Sequence, residues 1–127
     1  HHGALSLALR LRRAAESGDE AAMEAACQRA QHVFVQELLP HFKEEEQCLL
    51  PLLEEAGANA VVARTLIEHR AMQRLIRDLD LPDADVLLRF ADLLTAHVRF
   101  EERELFERAE ALVGEVKLVA ALQRATD

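Results

Sequence analysis

Tryptophan and tyrosine are missing from this 127-residue sequence, and glycine (4), proline (3) and cysteine (2) are scarce. So few glycines and prolines argue against an all-β sandwich or barrel, whose many turns draw on both. Two cysteines in a chain of this length do not make a disulfide scaffold; they fit a reducing compartment, and a cytoplasmic location is expected. Basic charge is also short: 15 Lys and Arg stand against 23 Asp and Glu, a net charge of -8. Such a surface repels phosphate, so nucleic acid is not an expected partner. No apolar run approaches the roughly 18 residues that a membrane-spanning helix needs. No basic segment followed by an apolar one opens the chain, so neither a membrane partner nor a signal peptide is expected.

What is present is helical. Half the residues are apolar, enough for a sizeable core in one domain spanning 1–127. Ala, Leu, Glu and Arg dominate, all good helix formers. Punctuation divides the chain into a helix from the start to residue 16, ended by Ser17-Gly18, and helices over 20–55, 60–79 and 84–113. A short fifth helix is expected over 115–125. Asp19 and Asn59 are placed to cap the second and third helices. Pro82 breaks the chain before the fourth. Pro40 predicts a bend in the second helix, and Pro51 predicts the end of its regular part. Short connections favour antiparallel neighbours, so the expected fold is all-α: an up-down-up-down four-helix bundle with a short C-terminal helix.

The second helix carries an anomaly. Its apolar positions step by three and four through Met23, Cys27, Ala30, Phe34 and Leu38. The same step then reaches His41, Glu45, Cys48 and Leu52, so an imidazole and a carboxylate occupy the stripe meant for the core. In the fourth helix Val86, Phe90 and Leu94 lead to His97 and Glu101. In the third, Val62 and Leu66 lead to His69. A buried, unpartnered carboxylate is very costly, so these groups either pair with one another or hold a metal. The five together favour the metal.

An internal repeat sharpens the pattern. His41 to Leu50 aligns with His97 to Phe106 as His-x-x-x-Glu-Glu-x-x-Leu followed by Leu or Phe. A His and a Glu four apart lie one turn apart on one face and can reach one point. Two such helices make a two-fold arrangement of the kind that assembles a pair of metal ions in a bundle. At 100° per residue the apolar arc of the first helix covers Ala4, Leu5, Leu7, Ala8, Leu11 and Ala15 and includes His1, with His2 outside it, near Arg13. His1 is therefore favoured as the inward residue, with His2 as the alternative.

These residues resemble the hemerythrin-like, or HHE cation-binding, family. The carriers are the paired histidines His1-His2, His41-Phe42-x-x-Glu45-Glu46 followed by Pro51, Glu68-His69, and His97-x-x-x-Glu101-Glu102 with Leu105-Phe106. The resemblance implies a pair of non-haem iron ions, bridged by oxo, hydroxo or water, inside a four-helix bundle. The implied metal residues are His1 (or His2), His41, Glu45, His69, His97 and Glu101, the two glutamates bridging. Spacing and bacterial-type members favour Glu101; oxygen-carrying members use the next position, here Glu102. Those members also place a second histidine one turn after the third-helix one, where this chain has Gln73. The ligand count is thus one fewer, and an exchangeable position is expected.

Imidazole and carboxylate suit iron, manganese or zinc, and the absence of a thiolate pair argues against structural zinc. The resemblance implies binding or sensing of dioxygen or a related small molecule, peroxide or nitric oxide. The alternatives are a di-iron oxidoreductase, peroxidase-like or handling nitric oxide and served by a redox partner, and an iron-responsive or storage protein. Whether the chain is an enzyme is left open. Of the remaining candidates, His32 falls on the opposite face and reads as surface. Glu44 and Glu46 read as solvated, Cys48 as a buried core thiol, Phe42, Phe100 and Phe106 as packing around the site, and Met23 and Met72 as core.

Overall fold

A computed structural model describes residues 2–113 and 122–123. Within them there is no strand, and four long helices account for nearly every residue. We number these α1 (His2–Ser17), α2 (20–55), α3 (Asn59–Asp78) and α4 (84–113). The expected fifth helix lies outside the described residues apart from Leu122 and Gln123, which are helical. No described helix is long and apolar enough to cross a membrane.

The turns are short because the chain stops each helix chemically. Gly18 and Gly57 adopt φ of +67° and +86°, the left-handed region in which a side chain would be strained, and each ends the helix before it. Asp83 caps α4, its carboxylate accepting from the backbone N–H of Asp85 (2.9 Å) and Val86 (3.3 Å). Asp19 stands at the cap position of α2 without a side-chain cap bond. Asn59 is not the cap of α3. It is the first helical residue, and Ala58 precedes it.

Successive helices run antiparallel. Gln31 of α2 reaches Asp80, just beyond the end of α3, while Glu46 of α2 meets His69 within it. Arg64 of α3 meets Glu104 of α4, while Glu68 meets His97. Helix α1 packs on α4 and α2, with Arg12 paired to Asp92.

Helix α2 is continuous through both prolines. It widens into π-turns at Phe34–Leu38 and Glu45–Leu49, closed by Leu39 N–H to Phe34 O and Leu50 N–H to Glu45 O. The residues that close them directly precede Pro40 and Pro51. A wider turn makes room for a ring that cannot donate an N–H, so Pro51 does not end the helix, which runs to Glu55. Helix α4 has the matching π-turn at Glu101–Leu105 with no proline near it. The extra residue shifts the inward stripe. After Glu45 the next buried positions are Leu49, Leu50 and Leu53, while Cys48 and Leu52, expected there, are only half-buried.

Two apolar clusters result. One holds Leu7, Leu11, Phe34, Phe42, Met72, Leu87, Phe90 and Leu94; the other holds Leu49, Leu53, Val62, Phe100, Leu105 and Ala109. The buried polar residues of α2, α3 and α4 form a polar layer where the two clusters adjoin: Glu45 between Phe42 and Leu49, His69 between Val62 and Met72, and His97 and Glu101 between Leu94 and Leu105.

Candidate metal centre

The polar layer consists of Glu45, His69, His97 and Glu101, each at most 2% exposed, together with Thr65. Thr65 satisfies itself by donating to Val61 O at 2.8 Å within its own helix. The other four each offer an atom to one space, all within 4.8 Å of one another. Nε2 of His69 lies 3.3 Å from Glu45 Oε1, and Nε2 of His97 lies 2.5 Å from Glu101 Oε1. His41 stands at the edge, with Nε2 3.7 Å from Glu45 Oε2 and its side chain 31% exposed.

Both π-turns that shape this layer begin on its glutamates, Glu45 and Glu101. They occupy the same place in the internal repeat. Each comes one turn after a histidine, so His41–Glu45 and His97–Glu101 present equivalent pairs before the register shifts. Single π-turns inside α-helices are concentrated at functional sites.

The outer nitrogens of the two buried rings are anchored. His69 Nδ1 donates to Glu46 Oε2 at 2.9 Å, and His97 Nδ1 donates to Glu68 Oε1 at 2.7 Å. A carboxylate can only accept, so Nδ1 carries the proton in both rings. The inner Nε2 atoms of the same two rings face the carboxylates of the layer, His69 toward Glu45 and His97 toward Glu101. Imidazoles anchored at Nδ1, with Nε2 facing clustered carboxylates, have the donor arrangement that suits a divalent cation. Phe42 stacks on His69 at 3.9 Å between centroids and 12° between planes, and meets His97 edge-on at 5.5 Å. Phe34 packs edge-on against both Phe42 and Phe90, which closes the layer toward the larger apolar cluster.

The family model for the hemerythrin HHE cation-binding domain matches residues 1–109. The chain belongs to this family. Comparisons with curated proteins and with solved structures give no significant match. Membership and the buried His/Glu cluster together make this a cation-binding domain of the helical-bundle type.

The electrostatics follow from burial and pairing. Burial pushes the His69 imidazole below its ordinary pKa, against the opposing pull of Glu46. Burial acts in the same direction on His97, but there the Glu101 and Glu68 carboxylates prevail and raise it to about 9. Burial works to raise Glu68, yet hydrogen bonds from His97 and Arg64 hold its carboxyl below the usual range.

Of the residues expected from sequence, the structure brings together Glu45, His69, His97 and Glu101 and places His41 beside them. Between the two acidic alternatives in α4, Glu101 faces inward and Glu102 is exposed. His1 lies outside the described residues, as does the side chain of His2. His32 is exposed, as expected. Glu46 is not simply solvated; it is half-buried and holds His69. Cys48 is not a core thiol. It is half-buried with Sγ 3.6 Å from Glu44 Oε2, and Glu44 is half-buried too, whereas Cys27 is the buried cysteine. Sequence reasoning missed the anchoring roles of Glu46 and Glu68. The available signal was adjacency: each stands next to a stripe residue, Glu45 or His69, and so lies at the seam with the next helix.

Proposed function

We propose that this domain holds two iron ions and uses them to bind or sense a small molecule, dioxygen or a relative such as peroxide or nitric oxide. In this reading His41, His69, His97 and one N-terminal histidine, His1 or His2, are terminal ligands, and Glu45 and Glu101 bridge the ions. The observation that carries it is the pair of facing His-x-x-x-Glu turns whose glutamates converge with His69 and His97 in one buried layer. When bound, an iron pair supplies reversible one-electron chemistry and coordination positions open to a small ligand.

The remaining contributions come from the chain. Glu46 and Glu68 set the tautomer and orientation of the two buried rings. Phe42, Phe34 and Phe90 limit water on the side of the larger core. Gln73 takes the place one turn after His69, and an amide is a poor iron donor beside an imidazole, which supports an exchangeable position.

Metal analysis of the purified chain, followed by anaerobic reduction and air exposure watched by visible absorption, tests the proposal. Iron near two per chain and a spectrum that cycles reversibly support binding. Iron near two per chain with one-way conversion to the ferric state supports the oxidoreductase alternative. Absence of stoichiometric iron after reconstitution would defeat both.

A further inference from the structure

Outside the polar layer, one surface residue is held in a way ordinary surface arginines are not. Arg64 of α3 directs Nε to Glu68 Oε2 at 3.1 Å and a terminal nitrogen to Glu104 Oε2 at 2.9 Å. Its guanidinium lies 4.2 Å over the ring of Phe100, which is itself buried. Three contacts from two helices therefore fix a side chain that is 48% exposed. A half-exposed ion pair contributes little to stability by itself, so the arrangement needs another reason.

The reason lies on the far side of Glu68. Its two oxygens are divided: Oε2 accepts from Arg64, and Oε1 accepts from His97 Nδ1 at 2.7 Å. With Oε2 tethered, Oε1 is aimed at the ring, and Nε2 of His97 is aimed into the layer. The other half of the site lacks this device. Glu46, which holds His69, is 36% exposed at its side chain and has no arginine among its described contacts, whereas Glu68 is 13% exposed.

We propose that Arg64 is a positioning residue for the centre, acting through Glu68 on His97 and so setting how tightly that side of the site holds its cation. The inference rests on the metal-binding reading above. The rigid fork of arginine serves two carboxylates and an aromatic face at once; lysine offers a single charge and cannot reproduce it.

Zinc(II), a redox-silent probe, is titrated into the metal-depleted full chain against a competing chelator. Parent, Arg64→Ala, Arg64→Lys, Glu68→Gln and the Arg64→Ala/Glu68→Gln double variant are compared, with melting of each metal-free protein in parallel. Glu68→Gln is expected to weaken zinc binding roughly 10- to 100-fold, the usual range for a partner of a ligating histidine. Arg64→Ala is expected to weaken it about tenfold, Arg64→Lys to keep a measurable part of that loss, and the metal-free melting points to change little. Because Arg64 acts through Glu68, the double variant should bind no more weakly than Glu68→Gln alone. Parent-like affinity in Arg64→Ala, or a loss that adds in full to that of Glu68→Gln, overturns the proposal. If Arg64→Ala does not fold, parent-like affinity in Arg64→Lys overturns it instead. A parent that binds no zinc defeats the metal-binding reading itself, an outcome distinct from failure of Arg64 alone.

Discussion

Nδ1 of His97 donates to Oε1 of Glu68 at 2.7 Å, across the seam between α3 and α4. The contact decides which nitrogen of the ring faces the bundle centre, and it brings one of two carboxylates that together change the ring's proton affinity. His97 is buried, which by itself would favour the neutral form; Glu101 and Glu68 outweigh burial and raise its pKa to about 9.

A proton therefore sits on His97 at neutral pH in the metal-free chain and must leave when a cation takes Nε2. His69, pushed down by burial, is neutral, with its one proton on Nδ1 and none on Nε2 to lose. Metal uptake near pH 7 should release close to one proton from His97, and apparent affinity should fall by about tenfold per pH unit on acidification. The same raised pKa has a signed effect on the metal-free fold. Its stabilising contribution is complete below the unfolded value of 6.5 and is lost as pH rises through about 9. Calorimetric titration in buffers of different ionisation enthalpy measures the proton count. An uptake heat independent of buffer would mean that His97 is not displaced.

Substitution in the polar layer should lower metal content rather than unfold the bundle. His41→Ala, Glu45→Ala and His97→Ala are each expected to bring bound metal per chain down to about half of the parent's value or less, which for the proposed pair means one ion or fewer. Glu102→Ala, at an exposed position, should leave it at the parent's value. Metal analysis of the purified, folded variants reads this directly. Unchanged content in both His41→Ala and Glu45→Ala would remove the assignment.

The four helices and the inward residues His69, His97, Glu45 and Glu101 were legible because period and punctuation suffice for them. Apolar steps of three and four end on these residues, and glycine, aspartate and proline mark the turns. Two kinds of information were not legible. A π-turn changes the period itself, and nothing in Glu101–Leu105 announces one, since the proline that accompanies its counterpart in α2 has no equivalent there. The anchoring of His69 by Glu46 and of His97 by Glu68 depends on how two helices meet, which a single-helix projection cannot contain. Asn59 shows a smaller failure of the same kind: a good capping residue was passed over by one position because the turn at Gly57 set the start of α3.

The register shift has an energetic consequence. Leu53 is fully buried in the cluster with Leu49, Val62 and Leu105, while Leu52 packs only partly against it. Leu53→Ala should cost about 2–5 kcal/mol, the usual range for a buried leucine, and Leu52→Ala distinctly less. Chemical denaturation of the two variants decides between an uninterrupted α-helix and the π-turn. Equal losses, or a larger loss at Leu52, would restore the unshifted stripe.

Gln73 is half-buried and follows His69 by four residues, so its side chain leaves α3 one turn further along nearly the same face. Its neighbour Met72 is fully buried in the larger cluster, which places this turn of the helix against the core. An imidazole at position 73 would therefore have a short reach to the layer that contains His69. In a chain loaded with iron as proposed above, it would compete with any small ligand for the proposed exchangeable position. Azide is a suitable probe, since it binds ferric centres and is read by visible absorption. Gln73→His should bind azide measurably more weakly than the parent, because a nitrogen held in place by the fold competes for the same position. It should also be oxidised by air more slowly after reduction, because the position through which small molecules reach the metals is filled. Equal azide affinity and equal oxidation rates in the two proteins would show that position 73 does not face the centre. The open position would then have to be sought beside His41, the most exposed histidine of the site.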